Sequence, residues 1–468
     1  MRKTLRRSCD ACARSKLSCD LRSPQCSRCI KRKTACVYAN QPLTSAPTKE
    51  TATSSSEHDI AALWLSKSPM ALPVSPGPQS FDPFDSYPKT RLPRVHVQRL
   101  IQHCNIAFQY YPLDLNTASN PFVVSWWPLA LADPALFHVS LQTASLDVDL
   151  RAQKGFTNSE ILMADSVSLV RKRVEDPVLA FQNETMDSVV TLAAIEFGKG
   201  NTALGTMHID GVKRMVQMRG GIYQVKLTSP LTARMVSWVS LVVMQSPQFP
   251  TQDESGVGDG IAPIPQWQEA VIGMHNPIPP NLAKLDLDPA ISDVLVRLRN
   301  LFHEPLRFDL SSTDLHDLAC FVLHRLLSRP TRSTINDISQ ASAISECIRY
   351  GLVLYMFLIH GPTYFSHAQL QYNATVQLRT YLENMIASLL PNSGSLTLWL
   401  LSIGIVASNG TAESHWFTTQ SATVSETPGL SNWEDVRIHL KEILWFNSHQ
   451  VEYQFRQRWE ELFRITAV

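Results

Sequence analysis

The sequence predicts a mainly α-helical protein with a small N-terminal knot, a disordered linker and one large all-helical body. Three observations carry this. Six of the nine cysteines fall within the first 36 residues. Residues 41–80 hold six Pro, eight Ser and four Thr. From about residue 81, apolar residues recur at three- and four-residue spacing between helix start signals, and strand-like alternation is scarce.

The knot cysteines are Cys9, Cys12, Cys19, Cys26, Cys29 and Cys36, and the second three repeat the first three at an offset of 17 residues. Structural zinc takes four ligands in a tetrahedron. Six thiolates cannot form a whole number of separate four-sulfur sites, so two metals require two of the sulfurs to bridge. The offset offers Cys9 with Cys26, Cys12 with Cys29, or Cys19 with Cys36 as that pair, and spacing does not choose among them. Disulfides suit a small secreted domain, yet no apolar signal segment precedes the knot. An iron–sulfur cluster accounts for neither the repeated six-thiol set nor the basic residues between the ligands. Cys104, Cys320 and Cys347 are scattered and read as buried reduced thiols.

Charge points to the same segment. The whole chain is nearly neutral, with 42 Lys and Arg against 41 Asp and Glu. Residues 1–38 carry Arg2, Lys3, Arg6, Arg7, Arg14, Lys16, Arg22, Arg28, Lys31, Arg32 and Lys33 against Asp10 and Asp20 alone, a net +9. Six thiolates and two divalent ions leave about +7 on the folded knot. A compact positive module on a mildly acidic remainder is the footprint of nucleic-acid binding.

With Asp10 and Asp20 after the first and third cysteines, Pro24 before the fourth and Lys16 between the second and third, the segment resembles the fungal zinc binuclear cluster, the Zn2Cys6 DNA-binding domain. The resemblance implies two Zn2+ ions, with Cys9 and Cys26 bridging. It implies a short helix after each Cys-x2-Cys, the first placing its end in the major groove of double-stranded DNA. Lys16 sits where the family has its base-contacting lysine, which implies guanine O6/N7 contacts in a CGG-like triplet. Arg14 approaches a base edge or phosphate from the same helix. Arg6, Arg7, Lys31, Arg32 and Lys33 are assigned to phosphate, which sets register without reading sequence, and the basic clusters also suit nuclear import. The stretch between Cys12 and Cys19 carries fewer basic residues than many members have.

Residues 41–80 cannot bury enough apolar surface to offset their ordering entropy. One apolar island, Ile60–Leu65, reads as a transient hydrophobic patch or a short partner-binding helix. No sustained heptad appears between Asn40 and Pro88. The chain therefore dimerises through its body or binds DNA as a monomer.

Residues 81–468 read as the helical body. Asp133-Pro134, Asn158-Ser159-Glu160 and Ser229-Pro230 each pair a cap residue with a first turn. They open helices over 135–150, 161–174 and 231–244. A helix over 201–219 carries Leu204, Met207, Gly211, Met215 and Met218 as a core stripe and stops at Gly220-Gly221. Further helices are expected over 289–303, 313–329, 337–360, 366–390, 394–407, 432–446 and 448–464. The apolar runs Leu352–Ile359 and Leu396–Ala407 are short for a membrane span. The segment Asp82–Pro88, and that from His208 to Gly221, resemble two stretches of the regulatory domain found in one group of fungal zinc-cluster regulators. This implies an all-helical domain that contacts co-regulators or the transcription machinery. His208 reads as structural.

Enzymatic motifs are missing: there is no His-Glu-x-x-His helix, phosphate loop or nucleophile elbow. Gly256-Val257-Gly258-Asp259-Gly260 reads as a surface loop. The expectation is a nuclear, sequence-specific transcription regulator of a metabolic or secondary-metabolite pathway, organised as 1–40, 41–80 and 81–468. The alternatives are a zinc-knot protein for RNA or single strands and a helical protein-interaction scaffold.

Overall fold

The computed structural model describes residues 10–17, 26–34, 87–109, 118–152, 157–253, 255–272, 280–303, 310–329, 340–361, 363, 366–392, 394–425 and 430–466. The linker 41–80 and its island lie outside these. The described residues are helical, and their only pairing of extended backbone is a single bridge between Thr251 and Ile261. Two compact units emerge. One comprises Met1–Met244 with Tyr364–Ser366, the other Gln245–Thr363 with His367–Val468.

The first unit contains the two short knot helices, α1 (Asp10–Arg14) and α2 (Ser27–Arg32). Its larger helices are α3 (Arg94–Gln109), α4 (Trp127–Ala132), α5 (Pro134–Ala152), α6 (Thr157–Glu175), α7 (Asn183–Gly198), α8 (Thr202–Met218), α9 (Ile222–Thr228) and α10 (Pro230–Met244). Asp133 caps α5 as expected, its Oδ1 accepting from Leu136 N at 2.9 Å, with Pro134 opening the helix. The same carboxylate pairs with Arg173, which also reaches Thr185 and Gln182. Helix α6 starts at Thr157, so Asn158-Ser159-Glu160 form its first turn and do not precede it. A turn of π-helix, Phe122–Trp126, runs into α4, and Trp126 Nε1 donates to Ser140 Oγ at 2.9 Å.

Helix α7 forms the centre, with residues 185–196 buried all round. It packs against α5, α8 and α10. Gly205 brings α8 close, because a Cβ there would sit 3.2 Å from Val243 Cγ1 and 3.3 Å from Ala193 O. This corrects the expected core stripe of α8. Leu204, Met207 and Met218 are exposed, and the buried face is Gly205, Ile209, Val212, Met215 and Val216. The two faces share one helical period, and the side-chain-free Gly205 decides between them by admitting the neighbouring helix. Gly220 and Gly221 end α8 at φ +87° and +103°, conformations that glycine alone adopts readily. Arg219 then clamps the entry to α7 through Phe181 O at 2.8 Å and Asn183 Oδ1 at 3.1 Å.

The second unit holds α11 (Pro265–Ile272), α12 (Pro280–Ala283), α13 (Pro289–His303), α14 (Ser312–Leu327), α15 (Gln340–His360), α16 (Ala368–Asn392), α17 (Gly394–Ala407), α18 (Ser414–Ser425), α19 (Trp433–Ile443) and α20 (His449–Thr466). Capping boxes open α14 at Ser311 and α19 at Asn432. Helix α17 is buried from Leu396 to Ala407. Trp399 Nε1 donates to Leu444 O at 2.9 Å and Trp459 Nε1 to Ser402 Oγ at 3.0 Å. Within α15, Ser342–His360 has the length and hydropathy of a membrane span, which the sequence reading did not anticipate. It is a core helix here, buried from Ile344 to Leu358 and carrying a buried Arg349–Glu346 pair. The glycine-rich stretch is a loop as expected, held by Asp253 Oδ1 accepting from Ser255 N and Val257 N.

Three buried histidines gather in this unit. His316 Nδ1 and His360 Nε2 lie 2.8 Å apart, and His367 stacks on Phe357. Burial pulls His360 down to about 4 and His367 down to about 3, so both rings are neutral at pH 7.

Two predictions follow from this packing. A Cβ at Gly404 would fall 2.1 Å from Phe417 Cδ1 and 2.2 Å from its Cε1, so Gly404→Ala should lower stability by about 1–3 kcal/mol in denaturant titration. In the first unit, burial pushes the Asp187 carboxyl up to about 8, against a hydrogen bond from Thr232. The folded state therefore keeps a proton that the unfolded chain releases near pH 4, and stability falls as pH rises from about 4 to 8. Asp187→Asn removes that dependence. Its melting-temperature gain over wild type should grow between pH 5 and pH 8 and level off above.

Candidate metal centre and nucleic-acid interface

The knot helices are too short to persist alone, since forming a first helical turn fixes several dihedrals for one hydrogen bond. Among the described residues, the buried side chains of the knot are cysteines: Cys12, Cys26 and Cys29 are 3%, 0% and 2% exposed. Cys12 lies within α1. Cys26 is the N-cap of α2, with extended backbone, and its Sγ accepts from Cys29 N at 3.3 Å. A sulfur takes the place usually filled by a Ser or Asp oxygen. The x2 spacing follows, because a residue three positions on returns to the same end of the helix.

Cys12 Sγ and Cys26 Sγ lie 3.7 Å apart, and the three sulfurs are all within 4.8 Å of one another. A disulfide would require about 2.05 Å. Thiolates around one tetrahedral zinc, at about 2.3 Å from the metal, lie about 3.8 Å apart. The donor set and its spacing fit zinc. Among the described residues, no other trio of His, Cys, Asp or Glu brings its ligand atoms this close. Cys9, Cys19 and Cys36 lie outside the described residues, as do Arg6 and Arg7.

Around the sulfurs the surface is basic. Arg14, Lys16, Arg28, Lys31, Arg32 and Lys33 are all exposed. Arg14 falls in the last turn of α1, and Lys31 and Arg32 in the last turn of α2, where a helix favours positive charge. Lys16 and Lys33 follow the two helices in left-handed backbone, at φ 51° and 50°. The sequence reading missed this conformation, although the matching positions of the two lysines in the 17-residue repeat could have signalled it.

The scattered cysteines are inert. Cys104, Cys320 and Cys347 are buried and unbridged. Burial pushes the Cys104 thiol up and that of Cys347 up to about 12. His208 is half-buried, and burial lowers its pKa.

Comparison with known proteins assigns both regions. Residues 7–45 match the fungal Zn(2)-Cys(6) binuclear cluster domain, and residues 99–463 match the fungal specific transcription factor domain. A stretch of 34 residues is 65% identical to the monodictyphenone cluster transcription factor of Emericella nidulans. The match covers 7% of this chain and 8% of that relative's length. No solved structure matches.

The binuclear cluster domain binds two zinc ions, and elemental analysis should return about two per chain. Cys26→Ser removes the sulfur that lies beside both Cys12 and Cys29 and should lower that number. A variant that kept both ions would show that Cys26 is no ligand.

Proposed function

The chain belongs to the fungal specific transcription factor family, and from that membership we propose that its N-terminal knot reads a CGG-like triplet in duplex DNA through Lys16. At the level of class, the protein is a Zn2Cys6 transcription factor and not an enzyme. DNA binding and a nuclear role follow from the family.

Cys9, Cys12, Cys19, Cys26, Cys29 and Cys36 hold the two ions, with Cys9 and Cys26 shared between them. The closeness of Cys26 to both Cys12 and Cys29 supports its bridging role. Zinc supplies cross-links in place of an apolar core. Lys16 sits exposed on the turn after α1, free to reach guanine O6 and N7, with Arg14 beside it on a base edge or phosphate. Arg6, Arg7 and Arg32 bind phosphate, as do Lys31 and Lys33 in this reading. Residues 1–40 form the DNA-binding domain, 41–80 the tether and 81–468 the regulatory domain, which meets co-regulators or a second copy of the chain. The 34-residue likeness supports a metabolic or secondary-metabolite pathway as the target.

The observation that carries this reading is the trio of zinc-spaced sulfurs beside the exposed basic side chains Arg14, Lys16, Arg28, Lys31, Arg32 and Lys33. Lys16→Ala should cost about 1–3 kcal/mol on the preferred duplex and relax specificity. Arg6→Ala should weaken binding to all duplexes alike and flatten the salt dependence. Equal loss of specific and non-specific affinity in both variants would refute this division of roles. A chelator that left DNA affinity intact would refute the metal's part in it.

A further inference from the structure

The repeat that first appears in the cysteines extends into the backbone and the charges. Leu17 N donates to Cys12 O at 3.0 Å, and 17 positions on Thr34 N donates to Cys29 O at 3.2 Å. Lys16 has φ 51° and Lys33, 17 positions on, φ 50°. Arg14 has its counterpart in Lys31 at the same offset. All four of these basic side chains are exposed. Each half of the knot thus ends a short cysteine-bearing helix in the same left-handed turn and carries the same pair of cations, two residues apart.

The left-handed position makes the pairing informative. An L-residue there costs about 1–2 kcal/mol over its right-handed form, and glycine or asparagine is the usual occupant. Among the described residues only Lys16, Lys33 and Gln245 occupy it without being glycine. Two of the three are the equivalent lysines of the repeat. The cost is accepted twice at matching places, which points to a use for the side chain at both.

We propose that the second half of the knot is a second DNA reader, in which Lys33, flanked by Lys31, contacts base edges of duplex DNA when the first half does not. This rests on the reading of Lys16 as a base contact, and it moves Lys31 and Lys33 from phosphate positioning to recognition. Electrostatics does not oppose the second half: from Cys26 on it carries Arg28, Lys31, Arg32 and Lys33, against Arg14, Lys16 and Arg22 between Cys9 and Cys26.

The test is selection from a pool of duplexes with randomised positions, using the full-length zinc-loaded chain at fixed salt. Wild type, Lys16→Gly, Lys33→Gly and the double variant are compared. Glycine suits the left-handed turn, so these changes relieve strain while removing the side chain. Zinc content is measured for each, and Lys→Gln at the same positions repeats the comparison if it falls. Both single variants should still enrich a defined triplet, with several-fold weaker enrichment for Lys16→Gly, and the double variant should return the input pool. A Lys16→Gly pool no different from the input would overturn the second reader and leave the proposed function standing. A double variant that still enriches a triplet would overturn it as well. A wild-type pool without enrichment would instead remove the reading on which it rests.

Discussion

The knot depends on sulfur held at metal-bonding distance. Its helices are five and six residues long, and among the described residues its buried interior is three cysteines with Ala11 packed beside them. No apolar burial of ordinary size is available to offset the entropy of ordering such a segment. Coordination must replace it, and the chain arranges this economically: Cys26 serves one helix as cap while its sulfur faces Cys12 of the other. Metal affinity and helix formation are then one equilibrium. The orientation of every basic side chain on the surface depends on it.

The helical units are held by different means. Large buried rings fill them, and arginines finish helix ends from a distance. Arg349, 1% exposed and paired with Glu346, donates to Leu326 O at 3.1 Å at the C-terminus of α14. Arg299 donates to the last carbonyls of α19, Glu442 O and Ile443 O. The final carbonyls of a helix have no partner within it, and a guanidinium can serve two of them while remaining charged. Helix register is thereby tied to residues far away in the chain.

The knot was legible because metal chemistry restricts residue type and spacing together. The capped helices were legible for a similar reason: Asp133-Pro134 is a local signal, and the cap bond is present. Helix α7 escaped because it is buried on all sides and so has no polar face from which to read a period. The π-turn at Phe122–Trp126 was not anticipated, although Pro128 just after it has no N–H to continue the α-helical ladder. Helix α8 was found with a stripe that shares Met215 with the buried face but is otherwise displaced from it, since Gly205 signals close approach only once its neighbour is known. The left-handed lysines carry no propensity signal at all.

Buried carboxyl and imidazole groups answer acidity in opposite senses. Asp187 in the first unit is held as a neutral acid, so protons favour that fold. His360 and His367 in the second are held as neutral bases, so protons oppose it as pH drops from about 6.5 toward 4. Mild acidification therefore favours the folded state at Asp187 and opposes it at His360 and His367.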